Sequence, residues 1–120
     1  MERKKILVVD DEEGIRFLLE EELCSECDIR CCANGIDALE EFNKSQPDLV
    51  ITDFKMPGMD GNKLTRMIKG INPKMPVIML TATLPLKSQA DEILDKSSIL
   101  EKVHLSVNKF LNISPLPVPA

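Results

Sequence analysis

The stretch Asp48-Leu49-Val50-Ile51-Thr52-Asp53 decides how the rest of the chain is read. Leu49-Val50-Ile51 is an unbroken apolar run, and a strand of that kind is buried on both faces instead of alternating in and out. It follows Ser45-Gln46-Pro47, which closes a helix, and it ends in Asp53 before the loop Met56–Gly61. Two other runs have the same character: Lys5–Val9, ending in Asp10-Asp11, and Pro76–Thr81, which carries Val77-Ile78-Met79-Leu80. Between them the period changes. Ile15, Leu18, Leu19 and Leu23 recur at helical spacing with Glu20–Glu22 on the other face, and Ala38, Leu39 and Phe42 mark a second helix. Leu64, Met67, Ile68 and Ile71 repeat at i, i+3, i+4, i+7 until Asn72-Pro73 stops them. Asp28–Cys32 and Asp91–Leu94 read as shorter strands, the first ending at the turn signal Asn34-Gly35. Ser98 and Glu101 have capping-box spacing and open a last helix with Ile99, Val103, Val107, Phe110 and Leu111 inward. Strands alternating with helices, the strands fully apolar, predict an α/β fold: a doubly wound, five-stranded parallel sheet with helices on both faces.

Composition narrows the partners. At 120 residues, 43% hydrophobic and 29% charged, the chain is one domain with a core large enough to need no staples. Its only aromatics are four Phe. That argues against stacking single-stranded nucleic acid and against the aromatic walls of a flavin pocket. A net charge of −5 without a basic stripe argues against direct nucleic-acid or bilayer attachment. The opening Met1–Lys5 and the short run after it fit neither a signal peptide nor a transmembrane helix, so a cytoplasmic location is expected. Cys24, Cys27, Cys31 and Cys32 have a spacing that a metal site could use, but the single histidine, His104, is far away in sequence. Cys27, Ile29 and Cys31 alternate as one strand face, and Cys32 fits as a small packed residue. The cysteines are read as free, buried hydrophobes in a reducing compartment. Residues 113–120, rich in proline, read as a tail or linker stub after a domain spanning 1–112.

In a doubly wound sheet the ligand lies beyond the carboxyl ends of the strands, where strand order reverses. The residues just past the strands are Asp10 and Asp11, then Asp53, then Thr81, then Lys96. Three carboxylates in one partly desolvated cleft repel strongly. A hard divalent cation resolves this, and ligation by oxygen alone selects Mg2+ (or Mn2+) over zinc. Asp53, on the central strand, is the best-placed nucleophile for a phosphoryl group. Lys96 would neutralise charge on the transferring oxygens, and the Thr81 hydroxyl would donate to one of them.

Taken together, Ile6-Leu7-Val8-Val9-Asp10-Asp11, Asp53–Gly61, Val77–Ala82 and Asp91–Lys96 make the chain resemble receiver domains of two-component response regulators, of the chemotaxis-regulator-like kind. The resemblance runs from about Lys4 to Leu111. It implies a flavodoxin-like receiver topology and a phosphoacceptor switch in which Asp53 takes a phosphoryl group from a sensor histidine kinase or a phosphotransfer protein. It also implies that Asp10, Asp11, Asp53 and the backbone carbonyl of Lys55 hold the metal, that Thr81 and Lys96 assist at the phosphoryl group, and that Ala82 leaves room for it. Such a domain is a switch that catalyses its own phosphorylation and slow dephosphorylation, not an enzyme acting on other substrates.

Two features depart from the family pattern. Ile93 stands where the family usually has an aromatic switch residue. Between Thr81 and Asp91 lie nine residues, fewer than the roughly ten to twelve that a crossover with its own helix takes. About two helical turns, roughly 10 Å of element, are therefore expected to be missing from the fourth crossover. That loss should bare part of one sheet face, partly covered by Leu84 and Leu86 or by a second copy of the chain in a homodimer. Three rival functions are weaker. An aspartate-nucleophile phosphatase would place Asp-x-Asp after the first strand, where this chain has Asp10-Asp11-Glu12. A flavodoxin-like electron carrier would need aromatics, and a pure interaction module would have only the short crossover in its favour.

Overall fold

Successive strand residues point to opposite faces of a sheet, and here both faces are apolar. Ile6 and Val8, Leu49 and Ile51, Ile78 and Leu80 point to one side; Leu7, Val9, Val50 and Val77 point to the other. A computed structural model describes residues 3–82 and 87–112. The elements are β1 (Lys4–Val9), α1 (Glu13–Leu23), β2 (Cys27–Cys32), α2 (Gly35–Lys44), β3 (Leu49–Asp53), α3 (Gly61–Ile71), β4 (Val77–Thr81), β5 (Glu92–Asp95), a 3-10 turn (Lys96–Ser98) and α4 (Ile99–Leu111). All the strand pairs are parallel, in the order β2-β1-β3-β4-β5. The five-stranded doubly wound sheet expected from the sequence is therefore the fold.

The first face packs on α1 and α4 through Leu19, Leu23, Val103, Val107 and Leu111. The second packs on α2 and α3 through Ala38, Phe42, Leu64 and Ile68. α2 and α3 begin at side-chain caps: Asn34 accepts from the Asp37 N–H and Asp60 from the Lys63 N–H, each at 2.8 Å. Asn34-Gly35 thus turns the chain from β2 into α2. The apolar repeat of α3 is wider than its buried stripe, since Met67 and Ile71 are exposed. Glu22 does not stand clear on the outer face of α1 but pairs with buried His104 of α4 at 3.0 Å.

Two local expectations fail for physical reasons. Ser98 makes no capping hydrogen bond. The chain first turns through Lys96–Ser98, where the Asp95 carboxylate accepts from the Ser97 N–H and hydroxyl. Cys31 is exposed, not part of a buried Cys27–Ile29–Cys31 face, because β2 is the edge strand and only Cys27 and Cys32 reach the two cores. All four cysteines are free, but Cys24, just past the end of α1, is exposed as well, so only two are buried.

The connection from β4 to β5 carries no helix among its described residues, 82 and 87–91. Leu84 and Leu86, expected to cover the gap, lie outside the described residues, as does the tail 113–120. On this face Val77 and Met79 are 0% exposed, while Ile93, beside Met79 on β5, is half-buried. Asp91 ties the returning chain down. Its N–H donates to the Val77 carbonyl, and its carboxylate accepts from the Val77 N–H at 2.8 Å and from Lys69 Nζ at 2.7 Å. Lys69 also donates to the Met75 carbonyl, so α3 and β4 together hold the start of β5.

Candidate functional site

Strand order reverses between β1 and β3, and the register opposes Val9 to Thr52. Asp10 and Asp53 are the next residues along, so two acids share the carboxyl end of the central pair. Asp53 opposes Leu80, which puts Thr81 one step further on β4; Thr81 opposes Asp95, and Lys96 follows. The sequence-predicted residues thus sit on successive strand ends. Asp10 is 0% exposed, Asp53 4% and Thr81 2%. Asp11 is at the exposed rim.

The ammonium of Lys96 reaches the pocket from the far side. Its Nζ lies 3.2 Å from Asp10 Oδ2, 3.2 Å from Asp53 Oδ1 and 3.0 Å from Glu12 Oε1. Asp10 is fixed by its neighbours: Oδ1 accepts from the Glu12 N–H at 2.8 Å, and the backbone carbonyl accepts from Arg16 Nη1 at 2.7 Å. Its Oδ2 is buried and ion-paired with Lys96 without an aligned hydrogen bond.

Asp53 leads into a tight loop. The Gly61 N–H donates to the Phe54 carbonyl at 2.7 Å, and a Cβ on Gly61 would lie 2.2 Å from the Asp53 carbonyl oxygen. Only glycine allows that approach. Gly58 takes φ +82°, again a glycine conformation. Lys55 follows in this loop with its side chain exposed. Ile93 is half-buried on β5, opposite Met79.

Burial dominates the electrostatics. Desolvation, then the charge of Asp10, pushes the Asp53 carboxyl up to about 6 despite the nearby Lys96. Asp10 is also raised by desolvation, against the Glu12 N–H and Lys96. Desolvation alone would lower Lys96, but the Glu12 hydrogen bond and the charges of Asp10 and Asp53 outweigh it and hold the ammonium protonated. One cation thus faces more negative charge than it can balance. Asp10, Asp11, Glu12 and Asp53 each offer an oxygen, all within 4.8 Å of one another. Hard oxygen donors, with the buried Asp10 Oδ2 sharing a single ammonium with two other carboxylates, fit a divalent cation such as Mg2+. Glu12 belongs to this set and was not among the sequence candidates. Its signal was the third acid of Asp10-Asp11-Glu12, which reads equally well as helix N-terminal charge.

A parallel sheet with an acidic pocket and a lysine at its switch point defines a class of signalling domain, and comparison with known proteins agrees. The family model for the response regulator receiver domain matches residues 6–108, and the chain belongs to that family. It is a phosphoacceptor signalling domain of the two-component type. Among its relatives, sporulation initiation phosphotransferase F of Bacillus subtilis is 45% identical over 83 residues, which are 68% of this chain and 67% of that protein. The response regulator TrrA of Thermotoga maritima, solved in complex with Mg(2+)-BeF, superposes with a TM-score of 0.83 at 39% identity, covering 89% of this chain and 98% of that one. TrrA in complex with the histidine kinase ThkA superposes at 0.81 with 39% identity, covering 90% and 98%. Among the described residues no helix is long and apolar enough to cross a membrane.

Proposed function

We propose that Asp53 is the phosphoacceptor and that the chain catalyses its own phosphorylation and slow dephosphorylation. The observation that carries this reading is the buried Asp53 carboxylate, with Lys96 Nζ 3.2 Å both from its Oδ1 and from the buried Asp10 Oδ2 beside it. The donor is a phosphohistidine of a histidine kinase or a phosphotransfer protein. A carboxylate oxygen of Asp53 forms the new O–P bond as the N–P bond to the donor imidazole breaks, and the imidazole nitrogen keeps the electron pair. Lys96 balances charge on the phosphoryl oxygens, the Thr81 hydroxyl donates to one of them, and Ala82 leaves space beside them. Asp10, Asp11 and Asp53, with the Lys55 carbonyl, would hold Mg2+ (or Mn2+), which when bound neutralises developing charge on the phosphoryl group. The receiver unit extends over 1–112, and 113–120 are a tail or linker.

Calorimetric titration with beryllium fluoride in the presence of Mg2+ tests the reading. Saturable binding is expected for the native chain and none for Asp53→Ala; equal binding by both would overturn it. Self-association through the fourth-crossover face is a separate proposal, weakened by the burial of Val77 and Met79. A monomer by sedimentation at high concentration, with and without beryllium fluoride, would remove it.

A further inference from the structure

Glu12 stands at the N-cap of α1 and does not act as a cap. Its backbone is extended (φ −89°, ψ 115°) and its side chain accepts no hydrogen bond from the first turn. Asn34 and Asp60 cap α2 and α3 in the ordinary way. Short Ser, Thr, Asp or Asn side chains suit this position because they fold back onto the orphan N–H groups. The glutamate here extends outward instead, to Lys96 Nζ at 3.0 Å. Of the three carboxylates around Lys96, Glu12 alone is the exposed one: its side chain is 61% accessible, against 1% for Asp10 and 5% for Asp53.

That difference separates their roles. A divalent cation entering the pocket takes the charge of Asp10 and Asp53, the two buried partners of Lys96, and repels the ammonium. Glu12 lies at the rim and is anchored by its own N–H, which donates to Asp10 Oδ1 at 2.8 Å. We propose that Glu12 is a positioning residue: it gives Lys96 an anionic partner at the rim, so that the lysine yields the buried acids to the cation while staying beside Asp53. This rests on the reading above that the buried acids hold Mg2+, and it concerns Glu12 acting through Lys96 rather than as a ligand.

The test is calorimetric Mg2+ binding by the native chain, Glu12→Gln, Lys96→Met and the double variant. With Lys96 present, Glu12→Gln should weaken Mg2+ binding about fivefold, the scale of one charge contact in high dielectric. In the Lys96→Met background the same change should have less than about a twofold effect. An equal loss in both backgrounds would make Glu12 a ligand or a general charge, and no loss with Lys96 present would also overturn the inference. If the native chain itself binds no Mg2+, the reading of the acidic pocket fails and the inference falls with it. Glu12→Asp supplies a check that leaves Lys96 intact. Aspartate caps α1 but is too short for Lys96, so melting in EDTA should rise by a few degrees while Mg2+ affinity falls. A rise in melting temperature with unchanged affinity would contradict the proposal.

Discussion

Replacing Asp53 by Asn keeps the shape of the side chain and removes its charge, and without a divalent cation the chain should become more stable. In the folded chain desolvation and the neighbouring Asp10 push this carboxyl from 3.8 up to about 6. A carboxyl raised in this way binds its proton more tightly folded than unfolded. Its effect on stability is therefore favourable at low pH, and it is lost as pH rises from the unfolded value through about 6. At about 1.36 kcal/mol per unit, a rise of about two units makes the ionised Asp53 unfavourable by roughly 3 kcal/mol at neutral pH. Asparagine does not ionise, so Asp53→Asn should regain about 3 kcal/mol at pH 7.5 in EDTA and little at pH 4. For a domain of this size that is a melting shift of roughly 10 °C. Scanning calorimetry of both chains at the two pH values, with EDTA and then with Mg2+, measures it. The gap should narrow in Mg2+, because a bound cation stabilises only the chain that holds it. An Asn variant no more stable than the native chain at pH 7.5 in EDTA, or equally stabilised at pH 4, would refute the electrostatic reasoning.

Other perturbations probe the framework that holds the site. Gly61→Ala would press a Cβ to 2.2 Å from the Asp53 carbonyl oxygen, a backbone atom that cannot swing away. Urea unfolding should show a loss of roughly 3 kcal/mol, with slower phosphorylation at Asp53. Asn34→Ala removes the cap of α2 and should cost about 1 kcal/mol by the same method while leaving phosphorylation unchanged. Lys69→Met removes two hydrogen bonds, to Asp91 and to the Met75 carbonyl, and should lower stability by roughly 1–2 kcal/mol. Faster amide exchange in β5 would accompany that loss, since Lys69 helps anchor the return of the chain after β4.

The sequence was most readable where chemistry and periodicity agreed. Leu49-Val50-Ile51 and its two counterparts read as strands buried on both faces, and the order of such strands placed Asp10, Asp53, Thr81 and Lys96 at one end of the sheet. Glu12 escaped because an acid before a helix is ordinary, and nothing local reveals that its side chain turns away from α1 toward a residue 84 positions along the chain. The Ser98 cap failed for a similar reason. The Ser98–Glu101 spacing was right, but Asp95 had already shaped the turn. Cys31 followed the strand period, yet the period says nothing of whether a strand lies at the edge. The Lys69–Asp91 pair was equally hidden, since it joins residues far apart in sequence. The nine residues between Thr81 and Asp91 were legible as a length; the hydrogen bonds of Asp91 to Val77 and Lys69 were not.

The central claim is that Asp53 accepts a phosphoryl group, and mass spectrometry tests it most directly. The chain is incubated with acetyl phosphate and Mg2+, and intact mass is followed by peptide mapping. A single labile phosphoryl adduct on the peptide containing Asp53 is expected, lost on adding EDTA beforehand and absent from Asp53→Asn. No adduct on the native chain, or an adduct that persists in Asp53→Asn, would contradict the account.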